Sequence, residues 1–239
     1  MNGLKQVFAA TDVGLVRKGN EDNLAVFDSV YVVADGMGGE AAGEVASKIL
    51  VDKVKEVLAR RGTLSQSELC DAINAANQAI RNCVCEHPDY EGMGTTATML
   101  HVNDNDDGAV WAHVGDSRLY VMPAGSDKLV QITADHSYVE ELLRKGTITP
   151  EEAQHHPQRN MLTRAVGAME NLQVDSGELT VNKGDVFLLA TDGLMKHVAD
   201  GEIVRILRSS TENPAQDLIK AALADGGSDN VTVIVVGIS

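Results

Sequence analysis

The chain has 239 residues, 44% hydrophobic and 3% aromatic, which is enough to bury a substantial core. Its formal net charge of −15 argues against nucleic acid and anionic membrane surfaces as partners, and no apolar run of about 18 residues is present to span a bilayer. Three cysteines, Cys70, Cys83 and Cys85, lack metal-site spacing and suit inert thiols in a reducing cytoplasm; the start of the sequence shows no secretory signal pattern.

Residues 7–10 are expected as a strand ended by Thr11-Asp12-Val13-Gly14, followed by a polar, turn-like Arg17-Lys18-Gly19-Asn20-Glu21-Asp22-Asn23. Residues 24–27 and 30–34 read as a hairpin that turns at Asp28-Ser29. Its second strand runs into Asp35-Gly36-Met37-Gly38-Gly39. A carboxylate at the mouth of a buried strand is costly unless a cation or donors meet it. The glycines let the backbone turn and bring a carbonyl or a ligand close.

From Gly43 the apolar period becomes helical, with Ala46, Ile49, Leu50, Val54, Val57 and Leu58 on one face and Arg60-Arg61-Gly62 closing it. Ser65 or Ser67 is expected to cap a second helix, whose core face carries Leu69, Ala72, Ile73, Ala76 and Ile80, and which stops at His87-Pro88. Residues 95–102 form the next strand. Residues 109–114, 118–122 and 129–132 read as a β meander, with Gly115-Asp116-Ser117 as its first tight connection. Asp135 is placed as a helix cap, and Thr149 as another with Pro150 at the first helical position. Residues 155–167 are polar and basic without period. Strands at 174–180 and 186–190 follow, the second closed by Thr191-Asp192-Gly193. Short helices at 202–207 and 215–223 precede Gly226-Gly227-Ser228-Asp229-Asn230 and a strand at 231–236. No linker or repeat interrupts this order, so we expect one domain over 1–239 and an α+β sandwich.

Several readings compete for the glycine-rich turn. Gly36-x-Gly38-x-x-Ala41 resembles a dinucleotide fingerprint, but the helix after it leads into a second helix, and Asp35 would face a pyrophosphate. An Asp-Gly turn explains the dipeptide alone. The segment from Asn103 to Gly108 mimics a calcium loop, yet its twelfth position is Val114 on a strand. The remaining acids decide between these. Glu21, Asp22, Asp35, Asp116, Asp192 and Asp229 stand mostly at strand ends beside glycine or small polar residues, and one edge of a sandwich would gather them. Unpaired, they would repel one another. Such an oxygen-rich site suits Mg²⁺ or Mn²⁺, and no Cys/His arrangement competes for zinc. His113 and His136 are read as core and helix-cap residues, and His87, His101, His155, His156 and His197 as surface or turn residues.

Thr11-Asp12-x-Gly14-x-x-Arg17-x-x-Asn20-Glu21-Asp22, Asp35-Gly36-Met37-Gly38-Gly39, Gly94-Thr95-Thr96, Gly115-Asp116-Ser117-Arg118, Thr191-Asp192-Gly193 and Asp229-Asn230 together resemble the motif series of the metal-dependent protein phosphatases of type 2C, the PPM family. The short length and His156-Pro157-x-Arg159-Asn160 resemble its bacterial members. The resemblance covers essentially the whole chain. It implies a four-layer α-β-β-α sandwich, two antiparallel sheets packed face to face with helices on both outer faces, and a binuclear centre at one edge. Asp35 would bridge two Mn²⁺ or Mg²⁺ ions. Glu21 and the Gly36 carbonyl would bind one, and Asp192 and Asp229 the other. Asp22 would hold water at the ions, Arg17 would grip the substrate phosphate, and Asp116 would join Asp192 at a possible third ion. Residues 137–167 would form the flap of bacterial members. Met37 departs from a histidine in many eukaryotic members, and Glu40 from a histidine in many bacterial ones.

The function so implied is hydrolysis of phosphoserine and phosphothreonine in proteins by a metal-activated water. The enzyme would be a cytoplasmic monomer opposing a bacterial eukaryotic-like Ser/Thr kinase, itself among its substrates. A non-catalytic phosphoprotein-binding module on the same fold would be expected to have lost acids that are all present here. A small-molecule phosphatase would need a closed pocket.

Overall fold

The computed structural model describes residues 5–38, 42–60, 62–103, 107–210 and 212–239; Gly39, Glu40 and Ala41, named above in the glycine-rich segment, lie outside the described residues, as do Arg61 and residues 104–106. The strands are β1 (Lys5–Asp12), β2 (Asp22–Phe27), β3 (Val30–Met37), β4 (Gly94–Thr95), β5 (Ala97–Val102), β6 (Gly108–Val114), β7 (Arg118–Met122), β8 (Val130–Gln131), β9 (Asp175–Thr180), β10 (Val186–Ala190) and β11 (Val231–Ile238). They make two antiparallel sheets. One has the order β1-β11-β10-β7-β8, the other β2-β3-β5-β6-β9 with β4 against β3.

The two-residue side-chain period explains the layers. On β3, Tyr31 and Val33 pack between the sheets against Leu100, Leu119, Phe187, Leu189, Ile234 and Val236. The alternate residues Val30, Val32 and Ala34 face α1 (Ala42–Leu58) and α2 (Gln66–Glu86). On β11 the same division holds, with Val231, Val233 and Val235 facing outward. They meet α5 (Asp192–Met195), α6 (Asp200–Ser209) and α7 (Pro214–Ala224), which follow α3 (Tyr138–Arg144) and α4 (Pro150–Gln154) in the chain. Helix, sheet, sheet and helix are therefore stacked in that order, as expected. Ser65 caps α2 in a capping box with Glu68, and Thr149 caps α4 with Glu152.

Four expectations need correction. The strands at 109–114 and 118–122 are not a meander, because β6 already has β5 and β9 on its two edges and β7 pairs with β10. Gly115-Asp116-Ser117 instead crosses from one sheet to the other; of the strands expected in the meander, β7 and β8 alone pair with each other. Residues 95–102 are broken at Thr96, whose N–H donates to the Asp35 carbonyl (2.9 Å). Asp135 does not cap α3. Ser137 does, accepting from the Glu140 N–H (3.3 Å), while Asp135 takes the Arg118 guanidinium in a forked pair (2.9 and 2.7 Å). His101 is buried rather than at the surface, and its Nε2 accepts from the Leu64 N–H (3.2 Å).

Candidate metal centre

The inter-sheet core changes chemistry at one end. Following the inner face of each strand, Leu24 gives way to Asp22, Val33 to Asp35, Leu189 to Thr191, and Ile234 to Thr232. Asp22 and Asp35 are direct cross-strand partners, because β3 continues through Asp35-Gly36-Met37 where a turn was expected. Like charges directly opposite are destabilising, so this pair calls for positive charge between the sheets.

The backbone around Asp35 is clamped. Its N–H donates to Thr96 Oγ1 (2.9 Å), and its carbonyl accepts from Thr95 Oγ1 (2.9 Å). Thr96 in turn bonds Ser117 (2.7 Å), beside Asp116. Gly36 sits so close to α1 that a Cβ would lie 2.1 Å from the Gly43 carbonyl. Glu21 is fixed from both sides: its N–H donates to Asn230 Oδ1 (2.8 Å), and Ser47 Oγ donates to its carbonyl (2.6 Å). Asn230 also holds the loop before Glu21 through the carbonyls of Val13 (2.9 Å) and Gly19 (3.0 Å).

The other sheet supplies Asp192, opening α5, and Asp229, just before β11. Gly193 permits their approach, since a Cβ there would lie 1.9 Å from the Asn230 carbonyl. A cavity of about 250 Å³ brings Arg17, Glu21, Asp35, Gly36, Asp116, Asp192 and Asp229 together, along with Lys196. Asp22 lies beneath, buried, with Oδ2 accepting from Thr191 Oγ1 (2.8 Å).

Burial, followed by repulsion from Asp22, Asp192, Asp116 and Asp229, holds the Asp35 pKa well above the carboxylate range. Burial also lifts Asp22 to about 7 against hydrogen bonds from Thr232 and Thr191, and lifts Asp116 to about 7 with Asp192 and Asp135 adding to it. Glu21 is raised by burial against the pull of Arg17. Asp229 goes the other way: burial pushes it up, but Lys196 and Arg17 outweigh that and hold it low. Arg17 Nε lies 2.7 Å from Asp229, and Lys196 Nζ lies 2.6 Å from both Asp192 and Asp229.

These residues fit a divalent cation. The donor set is hard oxygen, and Asp22 Oδ1 and Asp192 Oδ1 are buried without a hydrogen-bond partner. Among the described residues no three acids share ligand geometry about one point, and the space between Asp192 and Asp229 is taken by Lys196. Lys196, Ser47 and Asn230's role as a brace escaped the sequence reading. Lys196 carried one available signal: it stands four residues after Asp192, on the same face once α5 is helical. His113 and His136 contribute no ligands. His113 is core, bonded to Thr98 (2.9 Å) and kept neutral by burial, with a pKa of about 3. His136 Nδ1 accepts from the Gly115 N–H (3.1 Å), which leaves Nε2–H to donate to Asp175 (3.0 Å).

A two-sheet sandwich with an acid-lined cleft at one edge is the arrangement the resemblance to metal-dependent phosphatases implies. The sequence profile described as Protein phosphatase 2C matches residues 19–227, and the chain belongs to that family. It is 40% identical over 232 residues to the serine/threonine protein phosphatase PstP of Mycobacterium tuberculosis, covering 96% of this chain and 44% of that protein. It thus spans less than half the length of that relative. Protein phosphatase PhpP of Streptococcus pneumoniae is 34% identical, with 98% of each chain covered. The crystal structure of the PstP catalytic domain in complex with two manganese ions superposes with a TM-score of 0.89 at 36% identity, covering 98% of both chains.

Proposed function

We propose that the chain is a Mn²⁺- or Mg²⁺-dependent phosphatase that hydrolyses phosphoserine and phosphothreonine in proteins at this cleft. The observation that carries the reading is the convergence of Asp35, Asp116, Asp192 and Asp229, from both sheets, on one open cavity with the Arg17 guanidinium at its mouth. Asp35 would stand between two ions, with Glu21 and the Gly36 carbonyl on one side and Asp192 and Asp229 on the other. Asp116 and Asp192 could hold a third. The two manganese ions in the PstP structure support two sites here. Divalent ions so held supply an activated water and neutralise charge on the phosphoryl group in transit.

The protein's own groups do the rest. Arg17 is half-exposed and paired through Nε, so it can turn its fork onto two phosphate oxygens. Asp22 Oδ1 faces no donor and would hold water at the ions, while Thr191 fixes the other oxygen. The open cleft suits an extended phosphoprotein segment more than an enclosed small molecule. The flap over 137–167 adds a second contact surface for such a substrate. Its Arg159 is exposed, whereas Arg164 is anchored on Asp175 (2.6 Å). A kinase of the eukaryotic type would supply the phosphoproteins and be a substrate itself. We further assign one catalytic domain over 1–239 and a cytoplasmic monomer. The acidic balance and the lack, among the described residues, of a helix long and apolar enough to cross a membrane support that setting.

Chelator-stripped protein should be inactive on a phosphothreonine peptide and recover with Mn²⁺. Asp35→Asn and Asp192→Asn should abolish turnover with the fold intact by circular dichroism. Full turnover without divalent ions would refute the reading.

A further inference from the structure

Among the described residues, Lys196 is the charged group of the cleft that the function above leaves without a role. It follows α5, its backbone N–H donates to the Asp192 and Leu194 carbonyls, and its ammonium lies 2.6 Å from Asp192 Oδ2 and 2.6 Å from Asp229 Oδ2. Those two acids are the pair assigned above to one ion. The geometry is that of a chelated cation: one positive centre shared by carboxylates from two separate elements, α5 and the turn before β11. Asp229 is fully engaged, because Arg17 and the Asn230 N–H take its Oδ1 (2.7 and 3.0 Å) while Lys196 takes Oδ2. Asp192 keeps Oδ1 buried and unpartnered. Among the described residues no lysine pairs with Glu21; its side chain stands against the start of α1, near Gly43, and Arg17 draws on it without an ion pair between them.

We infer that Lys196 is a tethered counter-cation that competes with the second divalent ion for Asp192 and Asp229, so that the two ion positions load unequally. This rests on the metal-centre reading above. An ion entering beside Glu21, Asp35 and the Gly36 carbonyl displaces no protein cation from Glu21. An ion entering beside Asp192 and Asp229 must first expel the ammonium from both Oδ2 atoms. The side chain has somewhere to go. Lys196 also lines an adjoining groove of about 290 Å³, together with Glu140 and Gln154. Withdrawn there, it leaves the acids to the ion while staying at the rim of the cleft. The same residue therefore holds Asp192 and Asp229 together against their mutual repulsion before the ion arrives, and sets a threshold for its arrival.

The test is Mn²⁺ binding to chelator-stripped protein, followed by isothermal titration calorimetry and by the electron paramagnetic resonance signal of free Mn²⁺, with melting curves of the stripped protein alongside. The native protein should bind one ion tightly and a second at least about tenfold more weakly, the scale of one partly buried charge contact. In Lys196→Gln the second constant should tighten by about tenfold or more with the first unchanged. The stripped variant should melt at a lower temperature. Lys196→Arg, which keeps the charge, should retain the unequal pair and guards against a variant that simply misfolds. Equal constants in the native protein, or a second constant unmoved in Lys196→Gln, would overturn the lysine's role while leaving the metal centre standing. Failure of the native protein to bind Mn²⁺ at all would overturn both.

Discussion

At the scale of single residues, charge balance dominates. Arg17 is the guanidinium that faces the cavity beside Asp229 and close to Glu21 and Asp35. Arg17→Ala should cost about 2–4 kcal/mol of transition-state stabilisation, roughly 30- to 1,000-fold in kcat/KM on a phosphopeptide. Unchanged kinetics would mean the phosphate is held without it. The raised carboxylates give a second expectation. Asp22 and Asp116 titrate at about 7 in the folded protein without ions, and Asp35 is raised too, whereas aspartates in an unfolded chain titrate near ~3.9. Between those values the three raised acids bind more protons in the folded state and outweigh His113 and His136, whose burial works the other way below about 6.5, so stability falls as pH rises. Asp229, held low, contributes the opposite slope only on acidification below the ordinary carboxylate range. The stripped protein should therefore melt at a lower temperature at pH 8 than at pH 5, and saturating Mn²⁺ should flatten the difference. A stripped protein whose melting temperature rises over that interval would contradict the assignment.

At the scale of elements, close approach is what positions the acids. Gly193→Ala would drive a Cβ into the Asn230 carbonyl and push α5 off β11. It should cost about 1–3 kcal/mol in stability and weaken Mn²⁺ binding, because Asp192 moves with the helix. The proposed flap is anchored near both ends. Tyr138 N–H donates to the Met161 carbonyl (2.8 Å), Thr163 N–H to the His136 carbonyl (2.8 Å), and Arg164 to Asp175. Arg159→Ala should lower kcat/KM on a phosphoprotein by roughly two- to fivefold, the worth of one exposed ion pair, with p-nitrophenyl phosphate unaffected. Equal losses on both would place Arg159 in the metal site. Much of this level was legible beforehand. Capping serines and threonines, helical stripes and the acids at strand ends all carry local patterns, and local patterns are what a sequence displays. The crossing at Gly115-Asp116-Ser117 was not legible. A three-residue link between alternating strands looks the same whether it turns back on one sheet or steps to another; the choice depends on β9, some sixty residues later, taking the free edge of β6. Lys196 was hidden for a related reason: its second partner, Asp229, is far away in the chain.

At the scale of the molecule, the inner faces of two sheets share one core, and the cleft is where that core runs out. Leu189→Ala, in the middle of it, should cost about 2–5 kcal/mol and lower the melting temperature accordingly. A loss under about 1 kcal/mol would mean the sheets repack around the gap. The strand order has one more consequence. β1 pairs with β11 alone, and β11 lies inside its sheet between β1 and β10. On the ribosome, β1 must therefore wait while every other described strand is made. At roughly 5–20 residues per second, the 226 residues added after Lys5 to reach Val231 take about 10–45 s. Through that time one sheet lacks the strand that joins β1 to β10, and Asp229 has not yet joined Asp35. Nascent chains arrested with residues up to 226 outside the exit tunnel should be cleaved by protease within residues 5–12, and chains carried past 238 should resist. On the proposed function, hydrolytic capacity would then arrive late and all at once, and a half-made chain would not strip phosphate from its neighbours.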